Sequence, residues 1–473
     1  MGEASLGPYN LCAMATEPAT DVAAQRARVV EQAQASDLRL VRFLYCDNDG
    51  IIRGKATGVS GLGSRLETGI GLTVAMQAFS MLDHLASVDG MGPAGEIRLV
   101  PDPETFVIAP YAPRTGVVLI DMLTSDRRPY AADPRWFLKR MIDRAAGRGL
   151  RIVAAFEPEW SLAALDPSGS WVPADQSLCF STHGMNDAAE VIDDIVSALE
   201  AQGLQVEQYY PELGWAQQEL SIAHRPALRA ADAHLLYRET VRGVAARHGL
   251  RASFAPKPWA DQAGNGCHLH FSAWDLDGRT NLFSDTSNPQ GISPVARQFM
   301  AGVLGHLGGL LGLTCASANS YRRLQPQMWA SAYRVWGPDN REAALRLPSP
   351  YWGMEAESTN VELKACDSSC NPYLALGGVI AAGLDGIERQ LELPPPVTVD
   401  PHSLDDEERA RLGATRLPQG LSEAVAALRE DFLLMDALGD RLSTSYLAVK
   451  DLDIAALAER DEAYEYEAHR FAY

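Results

Sequence analysis

Long apolar runs and paired cysteines are both missing from this chain. No apolar stretch reaches the roughly 18 residues that a membrane-spanning helix needs. The seven cysteines are odd in number and irregularly spaced, and no CxxC pair occurs, which argues against a disulfide framework or zinc knuckle and for reduced cytoplasmic thiols. The first 21 residues lack the basic start and continuous apolar core of a secretory signal, so we expect a loose leader there.

Positive charge is also scarce. The 41 lysines and arginines are outnumbered by 61 aspartates and glutamates, which gives a net charge of −20. Such a polyanion repels phosphate backbones, so we expect no nucleic-acid partner. An acidic surface attracts cationic ligands such as amines, although solubility is its commoner explanation. There is neither a Walker A sequence nor a GxGxxG between a strand and a helix, so any bound nucleotide requires a less common set of residues.

Capping and turn signals divide the chain into three parts. An amphipathic segment opened by Asp21 predicts a helix. The next segments alternate and turn at the sequence DNDG (residues 47–50), which predicts a β-hairpin followed by short strands. Asp133-Pro134 opens another helix, after which strand-like and helical segments alternate. We therefore predict a leader and N-terminal helix over residues 1–36, a small β-rich domain over 37–128 and a larger domain over 129–473.

Two glutamates share one face of a predicted strand in the sequence AAFEPEWSL. Residues i and i+2 of a strand point the same way, so Glu157 and Glu159 lie together, opposite Phe156 and Trp160. Neighbouring carboxylates beside apolar residues repel each other unless protons, water or cations intervene. A solvated edge strand with two chance glutamates is the alternative explanation.

Two further strand-like segments place polar residues on one face, and two more glutamates lie on either side of a single turn. A lone His-x-His pair is more often structural or solvated than metal-binding, but the combined set is more specific. Its carboxylates offer the oxygen ligands that Mg²⁺ or Mn²⁺ prefer, and two such cations side by side serve phosphoryl transfer from ATP. The added residues are His268, His270, Ser272, Glu362, Lys364, Glu212 and Glu219.

A cationic segment runs from Asn319 to Pro348. Arginine forks suit phosphates and carboxylates. In a chain of net charge −20, beside an acidic candidate site, such a segment favours a clamp for these groups over a solvated, salt-bridged loop. Its arginines are Arg322, Arg323, Arg334, Arg341 and Arg346.

Several stretches of the chain resemble, in order, the motifs of the glutamine synthetase superfamily. They are FEPEW, YPELGWAQQEL, KPWADQAGNGCHLHFS, NSYRRLQP, DNREAALRLP and VELKACDSSCNPYLALGGVIAAGLDG, and the resemblance runs from about residue 37 to the C-terminus. It implies an α+β fold, with a small N-terminal β-grasp domain and a catalytic domain of curved antiparallel sheet and helices. It also implies a homododecamer of two stacked hexamers, with active sites between neighbouring subunits.

The resemblance further implies a reaction in which glutamate and ATP form γ-glutamyl phosphate, which an amine then attacks to give an amide. The implied ligands of the metal beside glutamate are Glu159, Glu212 and Glu219. The implied ligands of the metal that bridges the ATP phosphates are Glu157, His268 and Glu362.

The remaining implied roles concern the substrates. Nucleotide contacts are implied for His270, Ser272, Glu207, Arg341 and Arg346. The substrate site is implied for Gly264, Arg323, Lys364 and Trp329. The three implied catalytic groups are guanidiniums that offset the charge growing on the transferred phosphoryl group, namely Arg323, Arg341 and Arg346.

The amine site departs from the family pattern. Ammonia-using members carry a flap glutamate, and counting along the motif places Trp329 at that position. An indole in place of a carboxylate weakens an ammonium site and offers an apolar or cation–π wall to a larger amine. Lys364 and Asn360 stand where the family has arginines. The aspartate that binds ammonium from the neighbouring subunit has no clear match, apart from Asp83 and Asp89 upstream.

These features predict a cytoplasmic, ATP-dependent ligase that joins the γ-carboxyl of glutamate to a small organic amine. Its expected cofactor is Mg²⁺ or Mn²⁺, with two or more ions per active site, and ATP is a substrate. The resemblance points to the branch containing γ-glutamylpolyamine, γ-glutamylethanolamide and γ-glutamylanilide synthetases, with no membrane partner. A glutamine synthetase that uses ammonia and a non-catalytic member of the fold are the alternatives.

Overall fold

A computed structural model of the chain describes residues 21–473. Residues 1–20, which make up most of the predicted leader, lie outside this range. Two β-sheets organise the described residues, one formed by strands within residues 40–123 and the other by strands within residues 151–416. No helix among residues 21–473 is long and apolar enough to cross a membrane.

The first sheet is small and mixed. Its elements are α1 (Val22–Ala35), β1 (Leu40–Cys46), β2 (Ile52–Gly58), α2 (Leu62–Thr68), β3 (Ile70–Thr73), β4 (Glu96–Pro101), β5 (Val107–Ile108) and β6 (Thr115–Leu123). The strand order is β2-β1-β6-β4-β3, with β5 beside β6. β1 and β6 run parallel, and the other paired strands run antiparallel.

Two local predictions for this part are confirmed. Asp21 caps α1, because its carboxylate accepts hydrogen bonds from the backbone N–H groups of Ala23 and Ala24. β1 and β2 form the predicted antiparallel hairpin. Asp47 stabilises its turn by accepting the backbone N–H of Ile51 at 2.9 Å.

The larger part combines a long sheet with many helices. Its first elements are α3 (Pro134–Ala146), β7 (Arg151–Leu165), β8 (Trp171–Pro173), α4 (Thr182–Asp187), α5 (Ala189–Ala201), β9 (Val206–Pro211), β10 (Gln217–Ile222), β11 (Arg225–Pro226), α6 (Ala227–Arg247), β12 (Arg251–Ser253) and β13 (Cys267–Trp274). The next are α7 (Pro294–Gly305), α8 (Leu307–Thr314), α9 (Ser320–Arg323), β14 (Tyr333–Pro338), β15 (Ala343–Leu347), α10 (Glu355–Ser358), β16 (Val361–Leu363) and α11 (Pro372–Glu388). The last are α12 (Asp406–Leu412), β17 (Thr415–Arg416), α13 (Leu421–Glu430), α14 (Phe432–Leu438), α15 (Asp440–Ala458) and α16 (Glu462–Arg470).

β7 is the central strand of this larger sheet. The strand order is β17-β14-β15-β16-β13-β7-β10-β9, and the short strands β8, β11 and β12 also pair with β7. β14 and β15 run parallel, whereas the other paired strands described in this sheet run antiparallel. Together with the helices, this largely antiparallel sheet confirms the predicted α+β fold.

Helices pack around this sheet and around each other. α6 packs against β7, and α11 packs against α3, α7 and α8. Asp133 caps α3 as predicted, and Pro134 occupies the first turn. The helical segment 293–314 is divided at His306 into α7 and α8. The His306 ring there contacts Asp431 at 2.7 Å and Asp385 at 3.2 Å, which ties the helix junction to α11 and to the start of α14.

Candidate active site

Strand register brings charged side chains from neighbouring strands to one face of the larger sheet. β13 lies beside β7 with His268 opposite Glu157. On its other side β13 pairs with β16, and His270 lies opposite Glu362. The intervening residues of β7, β13 and β16 are apolar and buried, which confirms the predicted alternation. We call this the carboxylate face.

The same face extends to both sides through two further registers. On β10, Glu219 lies opposite Glu159 of β7. On β15, Arg346 lies opposite Glu362 of β16. Residues from five segments of the sequence therefore meet through backbone pairing rather than through long flexible loops.

The tightest group of potential metal ligands consists of Glu157, His270 and Glu362, whose ligand atoms lie within 4.8 Å of one another. His270 Nε2 lies 3.2 Å from a Glu157 carboxylate oxygen, and its Nδ1 lies 2.9 Å from the side-chain oxygen of Asn360. Two ligand atoms on opposite sides of a Mg²⁺ ion are about 4.2 Å apart. A small movement of these side chains is therefore enough for coordination.

His268 borders the same carboxylates. Its Nδ1 lies 3.4 Å from Glu362 and 3.9 Å from Glu157, and its Nε2 lies 3.2 Å from Lys364 Nζ. Burial and the Lys364 charge lower its pKa well below the ordinary histidine value, so the ring is neutral and has a lone pair for a metal. Burial also acts to lower the pKa of His270, but the hydrogen bond and charge of Glu157 outweigh it and raise that pKa to about 9.

Glu159, Glu212 and Glu219 form the acidic end of the face. The Tyr210 hydroxyl donates a hydrogen bond to Glu219. Gln217 Nε2 donates to Glu159 Oε2 at 3.0 Å. These neutral donors orient the carboxylates but do not neutralise them.

The carboxylates of this acidic end are buried close together, and burial raises their pKa values. Burial and the charge of Glu159 raise the pKa of Glu212 to about 7. Burial and neighbouring carboxylates raise the pKa of Glu219 well above its ordinary value, and burial raises that of Glu159 against the opposing charge of Arg323. A crowded set of buried carboxylate oxygens with raised pKa values fits hard divalent cations, whose binding supplies the balancing charge.

Basic side chains surround Glu362 at the other end. Arg346 Nη1 lies 2.8 Å from Glu362 Oε2, and Lys364 Nζ lies 3.5 Å from Glu362 Oε1. Burial acts to raise the pKa of Glu362, but Lys364, the two histidines and Arg346 hold it far below the ordinary value. Glu362 is therefore ionised throughout the physiological pH range.

Glycines let the chain pass close to Arg323. A Cβ atom on Gly264 would lie 2.9 Å from Arg323 Cγ, and one on Gly266 would lie 2.6 Å from Arg323 Nη2 and 2.8 Å from His268 Nε2. The Gly266 N–H also donates to Glu159 at 2.9 Å. Arg323 Nη2 itself lies 3.4 Å from His268 Nε2, so the guanidinium lies against the carboxylate face.

The structure divides the predicted arginine clamp. Arg323 and Arg346 lie on the carboxylate face, and the charge of exposed Arg341 acts to lower the pKa of Glu212. Arg322 instead pairs with Glu462 and Glu465 on α16. Arg334 lines a separate surface cavity beside His306. Arg322 and Arg323 are adjacent on α9, so the helical turn directs their side chains differently.

Two of the predicted nucleotide-binding residues, Ser272 and Glu207, lie in different surroundings. Ser272 is buried on the same face of β13 as the two histidines, and its hydroxyl accepts a hydrogen bond from Trp274 Nε1 at 3.0 Å. Glu207 is exposed on β9, at an irregularity where the register between β9 and β10 shifts. Its charge acts on His224 rather than on the carboxylates.

Trp329 lies in a loop of residues 325–332, which we call the flap loop. Its side chain is 66% exposed, and its backbone has a φ of 55°. Gln327 and Ser331 also have positive φ values, 61° and 70°. The Trp329 N–H donates to Glu342 Oε1 at 2.7 Å, and the Ser331 hydroxyl donates to the Ala343 carbonyl at 2.9 Å.

Sequence reasoning missed four residues that the structure places at the site. Gln217 lies two positions before Glu219 on one strand, so its shared face was readable from the alternation. Tyr210 and Gly266 needed the pairing of separate strands. Glu342 needed the path of the flap loop, which has no periodic signal.

Two family models match this chain. The family model described as "Glutamine synthetase, catalytic domain" matches residues 131–469. The model described as "Glutamine synthetase N-terminal domain" matches residues 24–135.

Curated relatives and solved structures match over most of their length. The gamma-glutamylpolyamine synthetase GlnA3 of Streptomyces coelicolor is 38% identical over 436 residues, covering 92% of this chain and 93% of that protein. The glutamine synthetase of Methanocaldococcus jannaschii is 30% identical, covering 89% and 93%. A solved glutamine synthase homolog has a TM-score of 0.83 at 32% identity, covering 92% and 99%. The ADP complex of GmaS has a TM-score of 0.81 at 30% identity, covering 93% and 98%.

Both parts of the chain match the same family. Its enzymes use divalent metal ions and ATP and bind glutamate and an amine. The two family models and these relatives show that the chain belongs to the glutamine synthetase family of ATP-dependent glutamate–amine ligases.

Proposed function

We propose that this protein joins the γ-carboxyl of glutamate to an organic amine, using ATP and forming γ-glutamyl phosphate. One observation carries the choice of amine: the carboxylate face is complete, whereas the exposed indole of Trp329 stands at the flap position. The 38% identity to a gamma-glutamylpolyamine synthetase supports an organic acceptor.

Mg²⁺ or Mn²⁺, with two or more ions per site, fits the donor set. We assign one ion to Glu159, Glu212 and Glu219, and the other to Glu157, His268 and Glu362. Bound cations would neutralise charge on the phosphates and on the transferred phosphoryl group. His270 takes part in the tightest ligand group, and its hydrogen bond to Glu157 orients that carboxylate.

The basic residues act on the phosphates and on glutamate. Arg341 and Arg346 would hold the phosphates, with Arg346 already aligned by Glu362. Arg323 and Gly264 would hold the glutamate carboxylate, and Lys364 adds charge beside them. A guanidinium fixed before the reaction stabilises the growing charge without reorganising.

The nucleotide would contact the far end of β13. We assign His270 and Ser272 there, since both lie on the carboxylate face of that strand. We also assign Glu207 to the nucleotide, although it is exposed at an irregular point of β9.

The remaining parts of the proposal concern the whole chain. We infer a β-grasp domain over residues 37–128, a catalytic domain over residues 129–473, and a homododecamer of two stacked hexamers. We also infer a cytoplasmic location, supported by free cysteines that are mostly buried, such as Cys267, Cys366 and Cys370.

The test measures glutamate-dependent phosphate release from ATP with a panel of amines. The panel contains ammonium, ethanolamine, putrescine and aniline. We expect the largest kcat/KM with an organic amine. Turnover that is greatest with ammonium would show an ordinary glutamine synthetase instead.

A further inference from the structure

Glu342 is a buried carboxylate beneath the flap loop with one oxygen that has no partner. The residue is 8% exposed. Its Oε1 accepts the Trp329 N–H at 2.7 Å, whereas its Oε2 is buried without a hydrogen-bond partner. Such an oxygen is costly to bury unless a donor reaches it, so this atom points to a ligand.

Glu342 lies near the side of the sheet that carries the carboxylate face. Arg346 of β15 faces that side, because it pairs with Glu362. The Lys364 N–H donates to the Ala344 carbonyl at 3.0 Å, so Ala344 lies opposite Lys364. Glu342 lies in the turn directly before β15, and the charge of Lys364 acts on its carboxylate, which places it near this side of the sheet.

No cationic side chain within residues 21–473 forms an ion pair with Glu342. The nearest basic residue of the carboxylate face, Lys364, is within 4.0 Å of Glu362 rather than of Glu342. Burial raises the pKa of Glu342, and the hydrogen bond from Trp329 opposes the shift. The charge of Lys364 and the backbone N–H of Gln327 also oppose the shift, so the protein balances this carboxylate only in part and without a direct ion pair.

We propose that Glu342 binds the ammonium group of the incoming amine, in place of the carboxylate that the flap position lacks. The inference rests on the proposed function and names the amine subsite within it. An alkyl ammonium offers three N–H donors, one of which reaches Oε2, while the indole of Trp329 lies beside the carbon chain. The ligand class is a primary amine that arrives protonated.

A purely structural role is the competing explanation. Gln327, Trp329 and Ser331 all have left-handed backbones, a conformation that non-glycine residues adopt at some energetic cost. The hydrogen bond from the Trp329 N–H to Glu342 helps to hold that loop. The two roles separate chemically, because holding the loop needs only an acceptor, whereas binding ammonium needs negative charge.

The experiment compares Glu342→Gln with the wild type. Glutamine keeps an oxygen acceptor for the Trp329 N–H and removes the charge. With whichever of ethanolamine and putrescine, the protonated organic amines of the panel, has the higher wild-type kcat/KM, we expect the amine KM to rise roughly 10- to 100-fold, as for loss of a charged hydrogen bond. The KM values for ATP and glutamate should stay within about twofold.

Asp400→Asn is the matched control. Asp400 is a second carboxylate beside the flap loop, and it accepts a hydrogen bond from Gln327 Nε2 at 3.3 Å. Its neutralisation removes one negative charge nearby and leaves Glu342 intact. We expect an amine KM within about twofold of the wild-type value.

Specific outcomes would overturn the inference. An unchanged amine KM in Glu342→Gln, or an equal rise in the KM values for all three substrates, would show that Glu342 only holds the loop. If Glu342→Gln unfolds, Glu342→Asp, which keeps the charge on a shorter side chain, takes its place: a rise in the amine KM alone supports the inference, and an unchanged amine KM overturns it. A wild type without turnover on any amine would instead refute the proposed function.

Discussion

Glu362 on β16 is 1% exposed and lies between Arg346 and Lys364, whereas the indole of Trp329 is 66% exposed and only its backbone is held. The carboxylate face depends on strand registers, so the backbone pairing of neighbouring strands positions its residues, namely Glu157, Glu159, Glu219, His268 and Glu362. The flap loop depends on a few contacts and on three left-handed residues. Metal and phosphate chemistry needs ligands in rigid positions, which the paired strands supply. The amine site, in contrast, changes with one loop residue.

The largest effect is expected on the carboxylate face. Glu157→Ala removes a member of the tightest ligand group and should reduce kcat by at least about 100- to 1,000-fold while the assembly persists. Phosphate release and size-exclusion chromatography measure the two properties. Glu355→Ala, which removes an exposed glutamate on α10, serves as the control. Substantial residual activity in Glu157→Ala would refute the metal assignment.

The two histidines of β13 test the division of roles within that face. His268→Asn should weaken Mg²⁺ activation roughly tenfold or more, because its neutral ring borders Glu157 and Glu362. His270→Asn should chiefly raise the KM for ATP. Titrations of activity against Mg²⁺ and ATP distinguish the two. An equal loss of metal affinity in both variants would show that both histidines are ligands.

The flap loop is tested by restoring a carboxylate. Trp329→Glu should raise the preference for ammonium over the best organic amine by roughly tenfold, since one charged contact is gained and an indole wall is lost. The ratio of kcat/KM values for the two amines is the measurement. Trp329→Gln controls for the size of the side chain. A preference shifted equally in both variants would mean that charge at this position does not select the amine.

The smallest expected effect concerns the stability contribution of His306, which lies outside the carboxylate face and the flap loop. The hydrogen bonds to Asp431 and Asp385 outweigh burial and raise the pKa of His306, so the protonated ring stabilises the fold. That stability is fully present below the unfolded histidine pKa of about 6.5 and is lost as pH rises through the higher folded value. His306→Asn should lower Tm by roughly 2–4 °C at pH 6 and by less at pH 9.

His306 lies outside the carboxylate face and the flap loop, so His306→Asn leaves both regions intact. Differential scanning fluorimetry from pH 5.5 to 9 measures the stability change. A Tm difference that grows with pH would contradict the assigned sign.

Much of the carboxylate face could be predicted from local sequence because strand alternation is a local property. Glu157 and Glu159 on β7, and His268 and His270 on β13, share faces as expected. The helix caps at Asp21 and Asp133 were predictable for the same reason. The split of the arginine segment was not, because Arg322 is directed by Glu462 and Glu465, which lie far along the chain.

Local sequence accounts for which side chains share each strand face and for the chemistry that a set of carboxylates, histidines and arginines supports. The resemblance of its motifs also determined the family. Which strands lie side by side is known only from the folded chain, where His270 lies within 3.2 Å of Glu157 and Glu342 accepts the Trp329 N–H. The physical reason is that alternation along a strand follows from local backbone geometry, whereas register and loop paths result from the packing of the whole chain.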